Sequence, residues 1–268
     1  MPAMERKTTR RNLLRLLAGA SLLAADGRSG FAAGPASIGR LIAEAKAFAT
    51  VSQRIDFISS KLIGVPYKAH TLIGSANRSE VLVVRDDAFD CVTYCEVVLA
   101  AAVVRDMAGF ESALRKIRYD QGQVDWHKRN HYFADWCRRN VDNKVCRPIV
   151  IGEPVKIDKV VSSEPAVGKR SWTLDAIRKA ALLSNRRQLK PGDIVGFVSR
   201  RSNLDYFHTG FVAFRGDGAL LLRHASRMHR RVVQERMDDF FAVNRNEFVT
   251  VLRPEETPAS QDMSKAPG

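Results

Sequence analysis

The 268-residue sequence predicts an α+β fold, and three observations carry that reading. Apolar residues recur at helical spacing through much of the first half of the chain. Past residue 190 the pattern changes to short alternating runs separated by turn residues, as in an antiparallel meander. The composition, 45% hydrophobic and 27% charged, is that of a globular chain able to bury a core, here taken as a single domain over residues 34–255.

The N-terminus carries "T-T-R-R-N-L-L-R" followed by an apolar run from Leu16 to Ala25, too short to span a bilayer and interrupted by Asp26. Residues 1–33 thus resemble a twin-arginine export signal, with Leu13 where that pattern usually has Phe and a small-x-small cleavage site at Gly30-Phe31-Ala32. The alternative is a basic amphipathic helix that stays attached. Ile38, Leu41, Ile42 and Ala45, then Val51, Ile55, Ile58 and Leu62, predict one or two helices over 37–62. "G-V-P-Y-K-A-H-T-L-I-G-S" follows as a loop and "E-V-L-V-V-R" as a short strand. A helix is predicted from Asp90 to about Met107, stopped by Gly109, and a short one over 110–117. A polar, aromatic stretch then forms an insert at about 110–147. "I-V-I-G-E-P-V-K-I-D-K-V-V" alternates like a strand, and a helix is expected around 173–183.

The meander comprises "P-G-D-I-V-G-F-V", "H-T-G-F-V-A-F", "A-L-L-L-R-H-A-S", "R-V-V-Q-E" and "F-V-T-V-L", with residues 256–268 as a disordered tail. No repeat or low-complexity tract is visible. The net charge of +14 includes six basic residues against two acidic ones in residues 1–33, leaving about +10 for the remainder. That surplus suits an anionic polymer: nucleic acid, anionic lipid, or the acidic peptides and glycans of a bacterial wall. An export signal argues against nucleic acid, as does the lack of aromatics interleaved with a basic stripe. Export also puts Cys137 and Cys146 in an oxidising compartment, where they either bridge or stay as two buried thiols.

Asp90 is a good helix N-cap, which makes Cys91 the first helical residue, where free amides and the macrodipole favour a thiolate. Cys95, one turn deeper beside Val98 and Leu99, reads as packing. His208 shares strand parity with Val212 and Phe214, and His224 with Leu220 and Leu222, so both face a core. A three-residue loop within "R-G-D-G" with a left-handed Gly would set the two histidines opposite or diagonal on one face. A two-residue loop would set them on opposite faces unless a bulge intervened. Cys91, His208 and His224 therefore form a candidate catalytic group of attacker, base and orienting ring; two satisfied core histidines are the alternative.

"G-V-P-Y", "D-C", "P-G-D-I-V-G-F", "H-T-G-F" and "R-H-A-S", in this order over roughly residues 62–236, resemble the NlpC-type cysteine hydrolases of bacterial cell walls. The resemblance implies a papain-like core with a Cys-bearing helix packed on an antiparallel sheet, Cys91 as nucleophile, His208 as base and His224 as third polar residue. Tyr67 would line the site near the oxyanion. The chain departs from the common pattern in Val92-Thr93-Tyr94 and in the long separation of Cys91 from His208. "F-D-C-V-T-Y-C-E" and "R-N-H-Y-F-A-D-W" are similar instead to the larger N-acetylmuramoyl-L-alanine amidase-like branch. That branch implies an exported, periplasmic or cell-envelope enzyme that cuts the amide between the lactyl group and the first alanine of a muropeptide. The chemistry expected is a thiolate of Cys91 paired with a His208 imidazolium, needing no cofactor or metal. Arg129, His131, Tyr132 and Trp136 are the expected grip on stem-peptide carboxylate and sugar ring; the alternative is that the aromatics pack and Arg129 is solvated.

The partner expected is peptidoglycan or its muropeptide fragments. A stem-peptide endopeptidase or an acyltransferase on the same core is the enzymatic alternative, and a non-catalytic wall-binding protein the alternative of another class. Cys91 with Cys95 and His127 with His131, each pair at i, i+4, would in principle supply a zinc tetrad.

Overall fold

The structure, a computed structural model, describes residues 37–162 and 166–256, all within one compact unit. The expected export signal over 1–33 lies outside the described residues, and so does the expected tail from residue 257 on. Glu256 itself is anchored: its carboxylate accepts from the Val51 N–H and, at 3.1 Å, from the Arg54 guanidinium.

Helix α1 (Ile38–Ala45) starts at the Ser37 cap, and α2 (Val51–Lys61) starts at a capping box between Thr50 and Gln53. A hairpin of β1 (Ile73–Ser75) and β2 (Arg78–Val81) follows, so the strand expected at 80–85 begins earlier and gains a partner within the expected loop. Helix α3 (Cys91–Val103) is shorter than predicted. Asp106 caps α4 (Met107–Arg118), which leaves Gly109 inside the first turn of α4, where the Asp106 side chain accepts its N–H. Two 3-10 turns at 120–122 and 126–128 lead to α5 (Phe133–Asp142), a helix not foreseen.

The remaining elements are β3 (Cys146–Pro148), β4 (Val155–Val161), β5 (Arg170–Arg178), α6 (Lys179–Ser184), β6 (Ile194–Val198), β7 (Tyr206–Phe214), β8 (Leu220–Ser226), β9 (Arg231–Arg236), α7 (Met237–Val243) and β10 (Phe248–Pro254). The helix expected at 173–183 is thus mostly strand. Its Leu174 and Ala176 are buried while Thr173 and Asp175 are exposed, the alternation that pairing with β4 enforces.

The strands form one antiparallel sheet in the order β4-β5-β10-β6-β7-β8-β9, with β3 also paired to β10. One face, through Ile194, Val198, Phe211, Ala225, Val232 and Leu252, packs on α1 to α5. The other, through Val195, Phe197, Val212, Leu222, Val249 and Val251, packs on Leu182 of α6 and on Met237, Phe240 and Phe241 of α7. Helix α3 is the hub of the first layer, buried continuously from Thr93 to Ala102. Its one deep charge, Glu96, is matched by Arg118 of α4 at 2.7 Å. Among the described residues no helix is long and apolar enough to cross a membrane.

Candidate active site

Asp90 fixes the start of α3. Its Oδ1 accepts the N–H groups of Val92 (3.1 Å) and Thr93 (2.8 Å), and its own N–H donates to Thr93 Oγ1 at 2.9 Å. Cys91 is therefore the first helical residue, as the sequence predicts, and keeps an accessible edge.

The sheet meets α3 at Thr209. The β7–β8 ladder runs from Phe214↔Leu220 to Phe211↔Arg223 and stops there. Beyond it, the Thr209 N–H favours the ionised form of the Cys91 thiol, and Thr209 Oγ1 lies 3.9 Å from Cys95 Sγ. One threonine thus acts on both thiols of α3 from the strand that carries His208, by contact with Cys95 and by favouring the Cys91 thiolate.

His208 and His224 come together as parity predicts. Arg215 donates to the Ala219 carbonyl at 3.0 Å, enclosing Gly216-Asp217-Gly218 with Gly218 at φ +80°. This is the three-residue loop with a left-handed Gly, and its register carries His208 and His224 to diagonal positions on one face. His208 Nε2 lies 2.5 Å from His224 Nδ1, with ring planes at 86°. Gly210 makes room: a Cβ there would stand 2.8 Å from His224 Cβ. Phe197 and Phe240 stack against His208, with Phe240 edge-on to His224 as well. Glu235, not singled out in the sequence, closes the chain with Oε1 at 2.7 Å from His224 Nε2. Its parity on β9 was the available signal, since Leu222↔Glu235 and His224↔Val233 put it diagonal to His224.

Burial pushes the Cys91 thiol up to about 12; the Asp90 carboxylate adds to the rise and the N–H groups of Thr209, Cys91 and Val92 oppose it. Burial, helped by the neighbouring His224, holds His208 well below the usual imidazole range. Burial also lowers His224, against the pull of Glu235. Burial thus favours the neutral thiol at Cys91 and the neutral imidazole at His208. These shifts run against the thiolate–imidazolium expected at a helix N-terminus, because desolvation is a larger effect than the few amide dipoles.

Tyr67 reaches the mouth of α3 because "G-V-P-Y" adds to the β9 edge. Gly64 donates to the Val232 carbonyl, Val232 to the Val65 carbonyl and Tyr67 to the Arg230 carbonyl, at 2.9, 2.7 and 2.9 Å. A bridge to Phe89 then sets Tyr67 beside Asp90 and Cys91. Burial, followed by the neighbouring Cys91 and Asp90, raises the Tyr67 hydroxyl, with Arg227 opposing.

The expected substrate grip is not assembled here. Trp136 is fully buried and stacked on Phe133 at 5.0 Å, so no sugar ring reaches it. Tyr132 is buried, with its ring centroid 5.1 Å from that of Trp172. Arg129 lies 3.1 Å from Glu80, whose side chain is 1% exposed, rather than facing solvent or a ligand. His131 Nε2 is 2.7 Å from the Trp126 carbonyl. The zinc tetrad does not form: among the described residues no three His, Cys, Asp or Glu side chains are grouped to hold a metal. Cys137 and Cys146 are both buried and both free thiols.

Comparison with known proteins places this geometry. Two crystal structures of an N-acetylmuramoyl-L-alanine amidase from Bacteroides uniformis are similar, one at 25% identity and TM-score 0.67 over 78% of this chain and 100% of that one. The other is 26% identical with TM-score 0.64, over 74% and 97%. A Legionella pneumophila protein shares the fold at TM-score 0.72 and 18% identity, over 83% of this chain and 95% of its own. No curated protein matches the chain. The profile of the AmiA-like, N-acetylmuramoyl-L-alanine amidase-like family matches residues 57–247, a span that holds α3, the histidine strands and Glu235, and the chain belongs to that family.

Proposed function

We propose that the chain is an exported peptidoglycan hydrolase that cuts the amide between the lactyl group of N-acetylmuramic acid and L-alanine, using Cys91 as nucleophile on a papain-like, NlpC-type core. The observation that carries this reading is the placement of the start of α3 on the strand that bears His208: Thr209, the next residue, lies 3.9 Å from Cys95 Sγ through its hydroxyl, and its N–H favours the Cys91 thiolate. Family membership and the Bacteroides amidases support the substrate class. The +14 charge suits an anionic wall polymer, and the twin-arginine-like N-terminus supports export.

The mechanism follows from the neutral resting pair. As the substrate carbonyl approaches, His208 takes the thiol proton while the sulfur forms its bond to carbon, so the thiolate exists only as it attacks. The oxyanion meets the Cys91 N–H and the Tyr67 hydroxyl. His208 then delivers its proton to the leaving nitrogen of alanine, which departs as an amine and leaves a thioester. Water, deprotonated by His208, hydrolyses the thioester and returns the thiol.

Mass spectrometry of defined muropeptides tests this. Wild type should release a stem peptide beginning with alanine, and Cys91→Ala should release none while melting like wild type. Cleavage after the second stem residue would move the activity to an endopeptidase, and undiminished turnover by Cys91→Ala would remove the cysteine mechanism.

A further inference from the structure

The two histidines are the inner members of a longer chain. Their outer partner, Glu235, lies 2.7 Å from His224 Nε2, with the His224 side chain 2% exposed and that of Glu235 25%. An ionised carboxylate only accepts hydrogen bonds, so His224 must carry its hydrogen on Nε2. A neutral His224 then has a bare Nδ1. The 2.5 Å contact between that nitrogen and His208 Nε2 needs one hydrogen, which only His208 is left to provide. A neutral His208 with its hydrogen on Nε2 has a bare Nδ1.

We propose that Glu235 is a positioning residue that sets the tautomers of both rings through this chain, so that His208 keeps an unprotonated Nδ1 for the Cys91 thiol. The proposal rests on the reading of His208 as the base. Without the carboxylate the reverse order is open: His224 donates from Nδ1 to His208 Nε2, His208 holds its hydrogen on Nδ1, and no lone pair is left to take the thiol proton. Glu235 therefore acts through His224 without touching the substrate.

Nitrogen-15 NMR of the imidazole rings in the full chain reads the tautomers directly. In wild type at pH 7.5, both His208 and His224 should carry hydrogen on Nε2. Glu235→Ala should convert His208 wholly or in part to the Nδ1–H form. Glu235→Gln, whose carbonyl still accepts, should keep the wild-type pattern. Turnover should follow: kcat falls about 10²-fold in Glu235→Ala with KM unchanged, in line with the large losses that follow a wrong histidine tautomer in hydrolase triads, and by less in Glu235→Gln. Glu235→Leu, closer in shape, gives the same readings should the alanine variant fold poorly. Hydrogen on His208 Nδ1 in wild type, or identical tautomers in wild type and Glu235→Ala, would overturn the proposal. The NMR result does not depend on turnover, so an inactive wild type would sink the hydrolase reading and leave the tautomer assignment standing.

Discussion

Gly210 shows how narrowly the histidine pair is placed. A Cβ at this position meets His224 Cβ at 2.8 Å, the Arg223 carbonyl at 2.9 Å and Leu222 Cδ1 at 2.9 Å; all three belong to β8, and the first two are fixed to its backbone and cannot swing away. Gly210→Ala should therefore push His224 off His208, cutting turnover at least tenfold and costing about 1–3 kcal/mol of stability through overpacking. Unfolding curves and steady-state kinetics check both figures; an alanine variant with full activity would mean the rings tolerate separation. The sequence made His208 and His224 visible because a buried histidine on an apolar strand face is unusual. It did not single out Thr209 or Glu235, since threonine and glutamate are ordinary on strands, and their importance comes from which atoms lie opposite in space.

Helix α3 carries two effects of one side chain that separate on mutation. Asp90 caps the first turn through Val92 and Thr93, and its charge also disfavours the Cys91 thiolate. Asp90→Ala should cost about 1 kcal/mol as the cap is lost. Asp90→Asn, which retains a cap, should cost less. Both should lower the midpoint of iodoacetamide labelling of Cys91 from about 12, because a negative neighbour is gone. An unchanged labelling curve in both variants would show that Asp90 does not act on the thiol. The insert behaves differently from its sequence pattern. Arg129 is bound to Glu80 of β2, which also accepts from the Tyr119 hydroxyl at 2.9 Å, so it fastens the β1–β2 hairpin to the insert. Arg129→Ala should destabilise the fold by about 3 kcal/mol, since a buried carboxylate loses its cation, and should leave KM unchanged in the folded fraction. A raised KM at unchanged stability would return Arg129 to substrate binding. Helix α5 was hidden in the sequence because its start is set from outside: the Ala134 N–H donates at 2.8 Å to Asp205, 71 residues away. The segment 170–178 was misread for a related reason, its alternation being decided by pairing with β4.

The described residues form three layers in which helices, sheet and the α6–α7 layer bury His224 and half-bury His208, and this arrangement links folding to pH. The α+β class and the meander were legible because periodicity is local, and the faces of β7 and β8 follow from the same parity. Burial holds both His208 and His224 below the ordinary imidazole range, so the native state disfavours their protons while the unfolded chain takes them up near pH 6.5. Below that pH the unfolded state binds more protons than the native one, and stability must therefore fall as the pH falls. Each ring contributes a slope of up to about 1.4 kcal/mol per pH unit, or about 2.7 for the pair. Asp205 and Glu96 work in the opposite sense, since burial raises both carboxyls and favours their protonated forms, and so they offset part of the decline. Between pH 7.5 and 5.5 the histidines should dominate. Urea unfolding across that window should show stability steady above about pH 7 and declining from pH 6.5 downward. A variant carrying His208→Gln and His224→Gln, which cannot take up those protons, should lose most of the decline. A wild-type curve that is flat through this window, or a double variant with the wild-type slope, would mean that the rings are not held neutral by burial, and the neutral pair from which the thiol is deprotonated would go with them.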